Sequence, residues 1–400
     1  MANVLKLFER EGLRVPVLVG GATTSKLHTA VKLAPLYSGV VDRVGDASLM
    51  SGVCISLLTA SRKAYTLEIL ANQQNLRDHF YQKQALSKSE KLLSLSDAKK
   101  RKHKYVQTFP KQPPFVGGKI IDVAFDEFEH LIPWHIFFKT WGMKLSSLND
   151  VNATEQQKEF FEDIAKALTQ LKIVASAKVS VKIFKANSED GSVILYNEDN
   201  TVADTLWFVR NQSEDLNGEC VSIADYVGDK TSSTDDFVGL YVATIGREVD
   251  EYIDELKSKG DDYQAMLVRC LSDCSAEALS EYVRTQIFKM KHSKGCQCPS
   301  CSPEQSKNNG ICVACGYSSF PDHSQKSKFE KLLQTRDIGV EFTSSYMMRP
   351  TSSVASIWIS NPDAKYIDPI VSNEQIVDIA NRSSRSVADI QKYMSIKIID

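Results

Sequence analysis

Apolar residues in the first sixty positions switch between a helical and an extended period. Val4, Leu5, Leu7 and Phe8 recur at helical spacing within residues 3–12, and Val15 to Gly20 form a short apolar run closing on Gly20-Gly21. The spacing predicts a helix and then a strand. Thr24 and Ser25 can cap a second helix reaching about Leu36, Val40 and Val41 sit in a second strand, and Ala47 to Leu58 begin a third helix. This order implies a parallel, Rossmann-like βα layer. With two strands where about four to six are usual, the layer reads as incomplete, either cut or completed by another chain.

Residues 60–104 are polar with a mostly helical pattern and end in the basic run Lys99-Lys100-Arg101-Lys102-His103-Lys104. No aromatic residues interleave with that run, so it reads as a solvated helix end and not as a nucleic-acid surface. Pro110, Pro113 and Pro114 with Gly117-Gly118 predict an extended linker, and a domain boundary is expected near residue 115. The expected organisation is a partial domain over 1–60, a helical and proline-rich linker over 61–115, and a larger domain over 116–400. In that larger domain 155–171 and 262–290 read as helices, and 178–184, 192–196, 204–209, 238–244 and 354–359 as strands. Irregular alternation with hairpin-like spacing predicts an α+β fold around a central antiparallel sheet.

With 42% hydrophobic and 24% charged residues the chain has material for a substantial core, and its net charge of −2 gives no reason to expect nucleic acid or an acidic membrane as partner. Glu9, Arg10, Glu11 and Arg14 interrupt what would be the apolar region of a signal peptide. No run reaches the roughly eighteen uncharged apolar residues of a membrane-spanning helix, so a cytoplasmic protein is expected. Its nine cysteines then stay mostly reduced.

Five of these cysteines crowd together. Cys298-Pro-Ser-Cys301 and Cys312-Val-Ala-Cys315 are two C-x-x-C pairs ten residues apart, with Cys296 as a possible substitute. Two thiolates per tight turn is the spacing of a tetrahedral Zn²⁺ site, so Cys298, Cys301, Cys312 and Cys315 are candidate zinc ligands; the alternative is a loop of incidental thiols. Cys270 and Cys274, four apart on a helix, are expected to pack, and Asp261-Asp262 to serve a helix N-terminus. His28 and His323 read as surface or structural residues. There is no Ser-His-Asp constellation and no phosphate-cradling loop.

Val19-Gly20-Gly21-Ala22-Thr23-Thr24-Ser25-Lys26, with His28 to Lys32 and Tyr37-Ser38-Gly39, resembles the end of the B12-binding domain of cobalamin-dependent methionine synthases. The resemblance implies that Gly20 and Gly21 approach the nucleotide tail of cobalamin and that Ala47 lies against the same cofactor; glycine allows a backbone approach that a Cβ blocks. The family's Asp-x-His-x-x-Gly motif, which carries the cobalt-ligating His, is not present. Farther along, Trp134 with Phe137-Phe138, Ala224-Asp225-Tyr226, Gly316-Tyr317, Pro321-Asp322-His323 and Asn361-Pro362-Asp363-Ala364-Lys365-Tyr366 resemble, in order, the family's reactivation domain.

That domain holds S-adenosylmethionine and delivers its methyl group to oxidised cobalamin, with an electron donor supplying reduction. The resemblance implies Gly316, Tyr317 and Tyr366 as ligand-binding positions. Where the family has an acidic residue, an arginine and a tyrosine pair, this chain has Pro133, Cys312 and Tyr366-Ile367. Two charge-assisted hydrogen bonds at roughly 1.5–3 kcal/mol each are thereby lost, or about 3–6 kcal/mol of affinity.

Two functions follow. One is a diverged methionine synthase fragment, a methyltransferase by kinship, that reactivates cobalamin with S-adenosylmethionine; alone it is not expected to turn over. Its partners would be the remaining synthase modules and a flavodoxin-type electron donor. The other is a non-catalytic, zinc-stabilised binding or regulatory module that no longer binds S-adenosylmethionine.

Overall fold

Helix α1 (Ala2–Arg10) leads into β1 (Val17–Val19), and after α2 (Lys26–His28) the strand β2 (Val41–Arg43) pairs with β1 in parallel, Val17 opposite Val41. The parallel βα layer is as expected from the apolar pattern. Ser25 caps α2, its hydroxyl accepting from the His28 amide at 3.0 Å. Leu5, Val19, Leu33, Tyr37 and Val41 form the small core of this layer, and α3 (Met50–Leu58) and α4 (Arg62–Ser89) follow.

The computed structural model describes residues 1–20, 24–45, 50–89, 92–104, 113–115, 117–143, 145, 148, 154–213, 218–231, 236–288, 310–396 and 398–399. They divide into two units, Met1–Lys91 and Leu92–Asp400. The division falls between Lys91 and Leu92. Helix α5 (Leu95–Lys100) belongs to the second unit: the Leu93 amide donates to Gln212 O at 3.0 Å and the Leu95 amide to Glu374 at 2.9 Å. The basic run is correspondingly docked and not simply solvated. Lys99 lies 2.9 Å from Asp190 and 3.2 Å from Asp378, Lys102 3.3 Å from Asp229, and His103 2.7 Å from Glu219.

The second unit continues with β3 (Gly117–Asp122), α6 (Phe125–Phe128), α7 (Trp134–Thr140), α8 (Glu155–Val174), β4 (Lys178–Glu189), β5 (Ser192–Tyr196), β6 (Val202–Trp207) and β7 (Asp236–Thr244). After α9 (Arg247–Ser258) and α10 (Asp262–Tyr282) come β8 (Ile311–Ala314), α11 (Lys326–Leu332), β9 (Glu341–Phe342), β10 (Met348–Arg349) and β11 (Ser353–Ile359). The last elements are β12 (Val371–Ser372), α12 (Asn373–Ser383), α13 (Val387–Tyr393) and β13 (Ile398–Ile399).

Seven strands form one antiparallel sheet in the order β6-β5-β4-β7-β11-β8, with β3 beside the first half of β4. The α+β expectation holds. β3 and β8 are strands that the sequence reading left out, the first taken for linker and the second for a metal loop.

Side chains alternate across this sheet. Val179, Val181, Tyr241, Ala243 and Trp358 face a core closed by α6 to α10, where Phe128, Phe137, Phe138, Ile164, Leu267 and Leu271 pack. Val238, Leu240, Val242, Ile357 and Ile359 face the opposite core, with Ile223, Phe320 and Phe329. Thr154 and Gln157 close the capping box of α8. Asp261 caps α10, accepting from the Gln264 amide at 3.1 Å, which is the helix-start role expected of Asp261-Asp262.

Candidate functional site

The site begins where β8 leaves the sheet. Gly316 follows with φ +106, a conformation L side chains rarely adopt, and a Cβ there would overlap the His323 ring. Its amide donates to Phe320 O at 2.7 Å, and the Phe320 amide returns to Tyr317 O at 2.9 Å. This tight turn throws Tyr317 outward, leaving it 62% exposed, while its hydroxyl donates to Glu277 of α10 at 3.1 Å.

Tyr366, 63% exposed, donates to Cys312 O at 3.0 Å. Its loop is stapled to the Tyr317 turn: the Ile367 amide donates to the Ser319 hydroxyl at 2.8 Å, and that hydroxyl donates to Ile367 O at 2.7 Å. Gly316 and Tyr317 thus follow the end of β8, and the Tyr366 loop is tied both to their turn and to Cys312 within the strand. Both rings are fixed by their hydroxyls and open on their faces.

Helix α10 supplies what the sequence reading missed. Asp273, Glu277 and Glu281 follow at spacings of four along one face of α10, and Arg284 stands just past its end in the π-helical turn Val283–Ile287. Asp273 and Glu277 remain accessible to solvent but are crowded by protein. That crowding raises both carboxyls above their ordinary range; the Ser352 hydroxyl at 2.8 Å from Asp273 and Tyr317 at Glu277 pull the other way. The Tyr317 phenol is pushed up to about 12, by burial first and by the Glu277 charge second.

Arg284 grips Glu281 through two bonds of 2.8 and 2.5 Å and donates to Gly310 O at 3.3 Å. Its guanidinium acts electrostatically on both Cys312 and Tyr366. The charge of Arg284 thus reaches Cys312, the position at which the family resemblance expects an arginine. The four-residue spacing on α10 was visible in the sequence; that it meets β8 was not.

Of the candidate zinc ligands, Cys312 and Cys315 lie among the described residues. Cys312 and Cys315 do not form a knuckle, because β8 is a strand and residues three apart on a strand point to opposite faces. Cys312, opposite Trp358 in β11, packs into the core on the Tyr241 side, whereas Cys315 packs into the other core and donates its thiol to Asp322 O at 3.3 Å. Burial pushes the Cys312 thiol up to about 12 and the Cys315 thiol higher still. The two thiols thus pack into different cores. Cys298 and Cys301 lie outside the described residues, among which no group of three or more His, Cys, Asp or Glu is placed to hold a metal.

Of the cobalamin candidates, Gly20 ends β1 with open space where a Cβ would stand. Gly21 and Ala47 lie outside the described residues.

Residues 124–384 match the family described as "Vitamin B12 dependent methionine synthase, activation domain". Among solved structures, the chain is similar to the MetH reactivation domain bound to AdoHcy, with a TM-score of 0.68 at 25% sequence identity, covering 77% of this chain and 99% of that one. The matched span takes in the helical layer, six of the seven sheet strands, the α10 face and both tyrosine loops, and the chain belongs to the vitamin B12-dependent methionine synthase activation-domain family.

Proposed function

We propose that the second unit binds S-adenosylmethionine between Tyr317, Tyr366 and the acidic face of α10, and presents its methyl group for the reactivation of cobalamin. The observation that carries this reading is the stapling of the Tyr366 loop to the Gly316-Tyr317 turn, with Tyr317 bonded to Glu277 of α10, in a chain similar to a reactivation domain whose structure holds AdoHcy.

The residues fit the ligand's chemistry. A sulfonium and an ammonium are cations, and Asp273, Glu277 and Glu281 supply carboxylates. Two exposed aromatic faces suit a purine ring. The ligand's single carboxylate, for which Cys312 offers nothing, is assigned to Arg284, whose charge reaches Cys312. Cobalamin, when bound, supplies the reduced metal that accepts the methyl group. The residues of this chain bind the donor, orient its sulfonium and hold water away from it.

In the first unit, Gly20, Gly21 and Ala47 would touch the nucleotide tail of cobalamin, and affinity from that layer alone should be weak. The partners in this reading are the remaining synthase modules and a flavodoxin-type electron donor. The place of action is the cytoplasm, in keeping with the reduced cysteines; among the described residues no helix is long and apolar enough to cross a membrane.

Calorimetric titration of the chain with S-adenosylmethionine and with AdoHcy tests the proposal. One-to-one binding that weakens in Tyr317→Ala is expected; no heat up to about 1 mM ligand, a binding free energy of roughly −4 kcal/mol, sinks it.

A further inference from the structure

We infer that Cys270 and Cys274 on α10 form a two-coordinate site for a thiophilic ion, of the class of monovalent copper or a trivalent arsenical. The two thiols sit four residues apart on an intact helix, and each is in hydrogen-bonding reach of the other. Cys270 is half-buried and open to reagent, while Cys274 is buried against the core on the α7 side.

Distance decides what such a pair can do. Side chains four apart on a helix hold their Cβ atoms about 5–6 Å apart, whereas a disulfide needs about 3.5–4.5 Å. A direct sulfur–sulfur bond would distort α10, whose Leu267, Leu271, Ala278 and Leu279 are fully buried. An interposed atom removes that conflict: with bonds to sulfur of about 2.3 Å, a linear monovalent ion bridges sulfurs up to roughly 4.5 Å apart, and a pyramidal arsenical bridges a shorter gap. Two thiolates with no third ligand select soft, low-coordinate ions over zinc, and among the described residues no three-ligand group occurs.

A second observation comes from α7's C-terminal cap. The indole Nε1 of Trp141 is buried with no well-formed hydrogen bond, and the Cys270 sulfur is the weak acceptor within its reach. A buried N–H that finds no acceptor costs about 1–3 kcal/mol. A thiolate at Cys270, in which charge replaces the weakly accepting thiol sulfur, supplies the missing acceptor when an ion is bound.

The bond changes are simple and involve no oxidation. A monovalent cation replaces two S–H protons, which go to solvent. Phenylarsine oxide exchanges its As–O bonds and two S–H bonds for two As–S bonds and releases one water.

The test uses the full chain in a Cys296→Ser, Cys298→Ser, Cys301→Ser background, so that the other closely spaced thiols do not compete. One equivalent of phenylarsine oxide is added and the adduct read by native mass spectrometry and peptide mapping. A single adduct bridging Cys270 and Cys274 is expected, with affinity falling at least about tenfold, or 1.4 kcal/mol, in Cys270→Ser and again in Cys274→Ala. Far-UV circular dichroism checks that both variants remain folded, and Cys270→Ser, at the more exposed position, gives an independent reading should Cys274→Ala unfold. An adduct retained in full by either folded variant, or no adduct in the background protein, overturns the inference.

Discussion

The Tyr317 hydroxyl donates to Glu277 across 3.1 Å, tying the turn that ends β8 to a helix forty residues earlier in the chain. Tyr317→Phe keeps the ring and loses this tie, whereas Tyr317→Ala loses both. In the proposed site the first substitution should weaken S-adenosylmethionine binding only a few-fold, and the second at least tenfold, since an aromatic contact and its buried area are worth about 1.5 kcal/mol or more. Titration calorimetry on the two variants separates the contributions. Equal affinities for both would mean that the ring does not touch the ligand.

Glu277 also makes a prediction about pH. Its carboxyl is raised in the folded protein by crowding, and Asp273 adds to the effect. A raised carboxyl means the native state holds more protons than the unfolded one, so this group's contribution to stability falls as pH climbs above the unfolded value. Glu277→Gln removes that penalty. The difference in Tm, variant minus parent, should therefore become more positive between about pH 4 and pH 7, modestly so because the group remains accessible to water. A difference independent of pH, or one that moves the other way, contradicts the assignment.

Arg284, held by Glu281 and the Gly310 carbonyl, is a cation whose charge reaches Cys312. If it anchors the carboxylate of the ligand, Arg284→Ala should cost roughly 1.5–3 kcal/mol of S-adenosylmethionine affinity, about ten- to a hundred-fold. A ligand lacking the amino-acid carboxylate should be insensitive to the same change. Methylthioadenosine provides that comparison: parallel losses for both ligands would place Arg284 in the scaffold and not in recognition.

On the other side of the sheet, Arg210 and Asp225 form a buried bidentate pair at 2.5 and 2.6 Å. Asp225 also receives the Ser222 amide at 3.0 Å, and Arg210 donates to Cys220 O at 2.7 Å, so the pair holds the segment that covers Leu240 and Val242. Removing one partner of such a pair strands the other charge, and Asp225→Ala should destabilise the second unit by about 3–5 kcal/mol in urea unfolding. A loss below about 1 kcal/mol would show that solvent reaches the guanidinium.

The main strands were legible because β-branched and aromatic residues dominate them, as in Val238 to Thr244 and Val354 to Ile359. β3 was hidden by Gly117-Gly118, which weaken a strand in isolation and read as linker; pairing with Lys182 and Ile183 of β4 overrides that weakness. β8 was hidden by a competing pattern. Ile311-Cys312-Val313-Ala314 is an acceptable strand, but Cys312 and Cys315 also match a metal knuckle, and only pairing with β11 decides between them. For the site, Gly316, Tyr317 and Tyr366 came from resemblance. Glu277 and Glu281 share a helix face at readable spacing, yet nothing local says which face meets β8.

The Gly316 turn offers the sharpest test of how fold and site are joined. Two separable costs attend Gly316→Ala. The backbone sits at φ +106, where a residue with a Cβ is strained by about 1–3 kcal/mol. The new methyl would also overlap the His323 ring, which cannot simply swing away because it stands 3.0 Å from the Lys326 amine. Gly316→Ala should therefore destabilise the second unit and, by displacing Tyr317, weaken ligand binding by more than Tyr317→Phe does. Adding His323→Ala removes the overlap but not the backbone strain. The double variant should recover part of the stability in urea unfolding while remaining below Gly316 with His323→Ala alone. Full recovery would mean that the overlap was the whole cost, and no recovery that the strained backbone alone requires glycine.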